Sequence, residues 1–89
     1  YSEHSIKINP NLISNQQSII KVELTAATST MGVFVIYNLE GKVVYKEETG
    51  VYNKGTHEFS INTVSLDNGI YYAVWKTSEN FVQAKFIKQ

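Results

Sequence analysis

The sequence predicts an all-β domain, an immunoglobulin-like antiparallel β-sandwich of about seven strands. Short segments alternate apolar and polar residues with a period of two, which is typical of half-buried strands. Turn-forming Gly, Asn and Asp residues separate these segments at spacings of roughly 8–12 residues, as in β-sandwiches. No segment shows helical periodicity. A length of 89 residues suits one domain, residues 1–89, and a small barrel is the alternative architecture.

The first half of the chain contains three predicted strands. A short strand at Ser5 to Ile8 should end at Asn9-Pro10, because proline cannot donate a hydrogen bond to a neighbouring strand. In the second strand, Ile20, Val22 and Leu24 alternate with polar residues, so one face should be buried. The third, "VFVIY" at residues 33–37, is apolar on both faces. We therefore expect it to be a central strand that is covered on both sides.

Four further strands follow, each introduced by a turn. Residues 42–48 should form a hairpin with the third strand, through a tight connection flanked by Asn38 and Gly41. The fifth strand, residues 57–61, follows "NKG", and the sixth, residues 70–76, follows "DNG". The seventh, Phe81 to Lys88, has Val82, Ala84 and Phe86 on one face. Phe86 should therefore be a core residue of the last strand.

Tyr71 lies near the start of the sixth strand, after Leu66 and Gly69. This arrangement is typical of a tyrosine corner, in which the hydroxyl bonds to upstream backbone and fixes the crossover between sheets. The alternative is an ordinary cross-strand aromatic residue. If Ile70, Tyr72 and Val74 point inward, Tyr71 and Trp75 share the outer face as possible ligand-facing aromatics. The alternative for Trp75 is packing beneath a loop or against a neighbouring domain.

The composition argues against several function classes. The chain has eight Lys, no Arg and a formal net charge of zero, so we expect no nucleic-acid binding. It has no Cys, which excludes disulfides and a cysteine nucleophile. His4 and His57 stand far apart without further ligand spacing, so we expect no metal and no other cofactor. No catalytic motif is present, and we expect a protein that is not an enzyme.

Several short motifs together resemble the C-terminal sorting domain of the type IX secretion system of Gram-negative bacteria. The resemblance covers nearly the whole chain and rests on their order and spacing. The motifs are "INPN", "VIYNLEGKVV", "KGTHEFSI", "LDNGIYYAVW" and the closing "KFIKQ". The chain departs from the family pattern at Leu12, where a second proline is usual, and in its Lys-Gln ending.

The resemblance implies a non-catalytic secretion signal at the end of a larger secreted protein. The expected partners are an N-terminal cargo domain on the same chain, an outer-membrane translocon and a sortase-like processing protease. The expected location is the periplasm in transit, then the cell surface or the medium. The family's recognition positions fall on this sequence at Pro10, Asn11, Gly41, Lys42, Gly69, Tyr71, Lys85, Phe86, Ile87 and Lys88.

The last strand suggests how such a signal is recognised. A terminal strand can offer an open edge that pairs with a partner, or with a second copy in an edge-strand dimer. We expect Lys85, Ile87 and Lys88 to face outward and to dock on the translocon, although such lysines also protect edges against aggregation. Two other functions stay open, an adhesive or carbohydrate-binding module of a secreted enzyme and a structural spacer.

Overall fold

The computed structural model describes residues 4–14 and 18–89, and in these ranges the chain forms eight strands and no helix. Accordingly, none of the described residues belongs to a helix that could span a membrane. The strands are β1 (Ser5–Asn9), β2 (Leu12–Ile13), β3 (Ile19–Ala26), β4 (Thr30–Asn38), β5 (Val43–Tyr52), β6 (Gly55–Asn62), β7 (Gly69–Thr77) and β8 (Phe81–Lys88).

The strands form two sheets, as predicted for a sandwich. One sheet has the order β1-β3-β6 and is antiparallel throughout. The other has the order β2-β8-β7-β4-β5, in which only β2 and β8 are parallel. The prediction of about seven strands missed β2, because two residues, Leu12–Ile13, are too short to show alternation.

The chain changes sheets between β1 and β2. It leaves the three-stranded sheet at Asn9, passes through a cis peptide bond to Pro10 and joins β8 in the other sheet. The Asn11 carbonyl accepts a hydrogen bond from the Ile87 N–H (2.9 Å), and the Ile13 carbonyl accepts one from the Gln89 N–H (2.8 Å). The open edge expected for the last strand is therefore covered by β2 at Ile87 and Lys88.

Alternate residues of both sheets fill the core. Ile20, Val22 and Leu24 of β3 are fully buried, which confirms the predicted alternation. They face fully buried residues of the other sheet, among them Phe34 and Ile36 of β4. Each such side chain stabilises the fold by about 1.5–3 kcal/mol. The outer face of β4 is also covered in part, since Val35 is only 4% exposed, as expected for a central strand.

From β3 onward, consecutive strands run in opposite directions, so their connections collect at two ends of the sandwich. We call one the motif end; it comprises Pro10–Asn11, Leu39–Lys42, Thr63–Asn68 and the last residues of β8. We call the other the His4 end; it comprises the β3–β4, β5–β6 and β7–β8 connections and His4.

At the His4 end, a buried histidine ties the start of β1 to two connections. His4 Nδ1 accepts a hydrogen bond from the Ala27 N–H (3.0 Å), so Nε2 carries the proton of the neutral ring and donates to Glu79 Oε1 (2.8 Å). Hydrogen bonds from Ser78, His4 and Thr30, in that order of effect, lower the pKa of Glu79 to about 2.

Candidate functional site

The β4–β5 turn is shaped by the Asn38 side chain. Its Oδ1 accepts hydrogen bonds from the N–H groups of Glu40 (3.0 Å) and Lys42 (2.9 Å), while the Asn38 N–H donates to the Lys42 carbonyl (2.9 Å). Gly41 has a φ of +84°, a left-handed conformation that costs glycine little. These bonds fix the turn through backbone and Asn38 atoms, and the side chains of Leu39 and Lys42 stay exposed.

The β6–β7 loop is fixed by side chains from β7 and β8. The Tyr71 hydroxyl donates to the Asp67 carbonyl (2.5 Å), which confirms the predicted tyrosine corner. Burial, and secondarily the negative charge of Asp67, raise the pKa of Tyr71, so the hydroxyl keeps its proton. The Lys88 ammonium donates to the carbonyls of Thr63 and Leu66, the latter at 2.7 Å.

The structure corrects the predicted orientation of Lys88. This lysine is only 8% exposed and faces inward, because it shares the alternation of Val82, Ala84 and Phe86. Its role is to hold the β6–β7 loop rather than to present a charge at the surface. Lys85 is exposed as expected, and Ile87 is half-buried on the same outer face.

Phe86 joins the two motifs that lie on β7 and β8. It is fully buried, and its ring stacks on Tyr71 with 5.3 Å between ring centroids. The two residues are also directly paired across the strands, as are Gly69 and Lys88. The predicted positions on β7 and β8 therefore form one unit, which β2 extends through the bond from Ile87 to Asn11.

The β4–β5 turn and the β6–β7 loop lie side by side. Two shallow depressions of about 370 Å³ each separate them, and both are lined by Asn38, Asp67 and Tyr71. Gly69 lines one depression and Lys42 the other. Positions predicted from separate motifs thus meet at one end of the molecule, although about 30 residues separate Lys42 from Tyr71 in the sequence.

The predicted ligand-facing aromatics are not at the surface. Trp75 is fully buried and Tyr71 is 5% exposed, so their assignment to an outer face was wrong. Pairing explains the error, because Trp75 lies opposite Phe34 of β4, and directly paired residues share a face of the sheet. The outer face of β7 instead carries Tyr72, which is half-buried, and Val74, which is only 7% exposed. The sequence pattern alone could not choose between the faces, because both are apolar.

A groove on the outer face of the five-stranded sheet carries different aromatic residues. It has a volume of about 380 Å³, and its lining includes Tyr37, Tyr72, Phe81 and Gln83. Lys76 also lines it and donates a hydrogen bond to the Tyr37 hydroxyl (2.6 Å), with its ammonium 5.3 Å from the ring centroid. This groove was not predicted, because Tyr71 and Trp75 on the opposite face of β7 were expected to face solvent.

The motif end also exposes two apolar residues that were not predicted to be exposed. Leu39 in the β4–β5 turn is 66% exposed, and Val64 in the β6–β7 loop is 69% exposed. Apolar residues within the turn segments "NLEG" and "NTVS" are the sequence signal that could have identified them, since polar residues usually occupy such positions. Among residues 4–14 and 18–89, no group of three or more His, Cys, Asp or Glu is placed to hold a metal ion.

Comparison with known proteins gives one family and one fold. The sequence profile of the family described as "Secretion system C-terminal sorting domain" matches residues 7–89. A search of curated protein sequences finds no match. Among solved structures, a similar one is the CARDB domain of a Pyrococcus furiosus protein, which was crystallised in complex with di-metal ions. The TM-score is 0.61 at 12% sequence identity, with 97% of this chain and 85% of that chain covered, so this likeness shows the immunoglobulin-like fold alone.

Proposed function

Because the chain belongs to the family of type IX secretion system C-terminal sorting domains, we propose that it is a non-catalytic address that directs a cargo protein through the outer membrane. A signal of this family implies export to the cell surface or the medium. We propose further that the domain is the last module of a longer chain and crosses the periplasm folded. In this proposal an outer-membrane translocon recognises it, and a sortase-like protease then removes it from the cargo.

The observation that carries the proposal is the meeting of the family's positions at the motif end. Pro10 and Asn11 connect β1 to β2, and Gly41 and Lys42 form the β4–β5 turn. Gly69, Tyr71 and the last residues of β8 complete the same end. A recognition surface requires such proximity, because one partner must contact its residues at the same time.

Within this surface the residues have two different tasks. Tyr71, Phe86 and Lys88 are buried and hold the loop and the last strand in place. Lys42 and Lys85 are exposed and are available for contact with a partner. A second contact is the edge of β8 before Ile87, because β2 pairs only with Ile87 and Lys88 in the described part of the chain. An extended segment of the partner could add to this edge as a further strand.

An export assay with the 89-residue chain fused behind a reporter tests the proposal. In a bacterium with a type IX system, we expect the fusion to reach the surface or the medium, and to remain inside a strain that lacks the outer-membrane pore. Lys42→Glu combined with Lys85→Glu should reduce export, whereas Lys54→Glu at the His4 end should not. All three residues are exposed, so each change should cost within about 0.5 kcal/mol of stability. Retention of the unmutated fusion in the pore-containing strain would refute the proposal.

Polysaccharide binding is a second candidate function, and the groove on the outer sheet face favours it. Tyr37 and Tyr72 are direct cross-strand neighbours, and Phe81 is 64% exposed, so their rings could stack on sugar faces. Lys76 and Gln83 could bond to hydroxyl or carboxylate groups. If the unmutated domain is retained on insoluble polysaccharides and Tyr72→Ala is not, polysaccharide binding is supported. Passage of the unmutated domain without retention would exclude it for the polymers tested.

A further inference from the structure

β5 lies at one edge of the five-stranded sheet and, with ten residues, is the longest strand that the structure describes. Within residues 4–14 and 18–89 it pairs with β4 alone, so its second edge is open. Such an edge presents unpaired backbone N–H and C=O groups to any other extended chain. Charged side chains and two irregularities in register restrict which chain can pair with it. The pattern of these features fits a second copy of β5.

The outward-facing side chains of β5 form a self-complementary pattern. Four residues, which we call the outer row, point away from the core: Val43, Lys46, Glu48 and Val51. Their respective partners on β4 also point away from it: Tyr37, Val35, Val33 and Met31. Val44 and Thr49 have no partner on β4, so the apolar and the charged member are three residues apart in both halves of the row. The row reads apolar, basic, acidic, apolar, and its spacing is symmetrical about Glu47.

Two antiparallel copies of β5 that are related by a twofold axis at Glu47 satisfy the whole outer row. Each Val43 then lies opposite Val51 of the second copy, and each Lys46 lies opposite Glu48 of the second copy. Directly opposite residues share a face of the sheet, and apolar or oppositely charged pairs stabilise the contact. Moving the axis by one residue, to Lys46 or to Glu48, places two like charges opposite each other instead. The charges therefore specify one register.

We propose that two copies of this domain associate through β5 in this register, which joins their five-stranded sheets into one continuous sheet. The contact differs from the dimer expected through the last strand and does not depend on the function proposed above. It covers Val43 and Val51, which are 48% and 61% exposed in the single chain.

Glu47 limits the strength of this dimer. It pairs with the buried Phe34 and so lies on the core-facing side of β5, where its carboxylate accepts a hydrogen bond from the Tyr45 hydroxyl (2.9 Å). At the twofold axis the two Glu47 carboxylates meet, and like charges in directly opposite positions oppose association. The dimer is therefore weak and reversible, as is usual for a small interface.

A cysteine at the axis tests the register directly. Residue 47 is the one β5 position that meets itself, and the chain has no cysteine of its own. Directly opposite Cα atoms in antiparallel strands lie about 4.5–5.5 Å apart, within disulfide range. In oxidising buffer, Glu47→Cys should form linked dimers at least about tenfold faster than Lys85→Cys, an exposed control on the edge of β8. Equal rates, or faster linkage through Lys85→Cys, would overturn the β5 contact.

A charge exchange tests the pairing without a covalent link. Lys46→Glu places like charges opposite each other twice and should raise the dissociation constant of the dimer about fivefold or more. Lys46→Glu combined with Glu48→Lys restores both opposite-charge pairs and should return the constant to within about twofold of the unmutated chain. Glu47→Gln removes the repulsion at the axis and should lower the constant about twofold or more.

Sedimentation equilibrium of the 89-residue chain over a range of concentrations up to the millimolar measures these constants. The side chains at positions 46–48 are exposed, so circular dichroism melts of the variants should stay close to that of the unmutated domain. A chain that remains monomeric at every concentration would overturn the proposal. A dimer that Lys46→Glu does not weaken, or that the charge exchange does not restore, would show that another surface forms it.

Discussion

Replacing Lys88 by Met tests whether this lysine holds the motif end together. The change keeps most of the buried aliphatic stem and removes the ammonium that donates to the carbonyls of Thr63 and Leu66. The Thr63 oxygen keeps a hydrogen bond from the Leu66 N–H (2.9 Å), whereas the Leu66 oxygen loses its ammonium donor. A hydrogen bond to a charged group contributes about 1.5–3 kcal/mol.

A second effect opposes this loss. Burying an ammonium without a carboxylate partner costs desolvation energy, and the apolar Met removes that cost. We expect the hydrogen bonds to dominate, because the loop carbonyls already point at the ammonium. The free energy of unfolding should therefore fall by about 2 kcal/mol. That is a large share of the total of roughly 4–13 kcal/mol expected for a domain of this size.

Urea unfolding that is followed by the fluorescence of Trp75, the one tryptophan of the chain, measures the change. The matched control is Lys85→Met on the same strand, which removes an exposed ammonium and should cost within about 0.5 kcal/mol. A Lys88→Met domain as stable as the control would refute the argument and show that desolvation offsets the hydrogen bonds.

Three further predictions concern other positions. Gly32→Ala should destabilise the domain by about 1–3 kcal/mol, because an added Cβ would lie 2.7 Å from Trp75 Nε1. An unchanged melting temperature would show that Trp75 does not pack closely against Gly32. Tyr71→Phe should lower the free energy of unfolding by about 0.5–1.5 kcal/mol, because the hydrogen bond to the Asp67 carbonyl is lost. An unchanged urea midpoint would show that the hydroxyl does not stabilise the corner. Folding lowers the pKa of Glu79 from 4.5 to about 2. The stabilisation that the ionised Glu79 gives the fold is therefore fully present above about pH 4.5 and is lost as the pH falls toward 2. As the pH falls from 4.5 toward 2, the melting temperature of Glu79→Gln should therefore fall less than that of the unmutated domain. Parallel plots of melting temperature against pH would show that ionised Glu79 does not stabilise the fold.

The strands and the core could be predicted from the sequence because they depend on local pattern. Ile20, Val22 and Leu24 alternate with polar residues, and only one face of β3 can then enter the core. Phe86 was identified in the same way. Tyr71 was identified by its position after a turn, which is a local feature of the corner motif.

The errors arose where pairing between distant segments decided the outcome. Both faces of β7 are apolar, and only its register with β4 places Trp75 rather than Tyr72 in the core. The inward direction of Lys88 depends on two carbonyls that lie more than 20 residues away in the chain. A lysine at the end of an amphipathic strand normally indicates solvent, and only the loop position shows otherwise.

The antiparallel connections explain why motifs that are separated in the sequence form one surface. From Asn11 the chain runs out along β3 and back along β4 to Gly41. It runs out along β5 and back along β6 to the loop before Gly69, and out along β7 and back along β8 to Lys88. Each pair of strands thus returns the chain to the motif end. A linear tag that is recognised in an unfolded chain would need no such return. The proposed function, in which the translocon recognises the folded domain, therefore predicts that substitutions which unfold the sandwich abolish export wherever they lie in the chain.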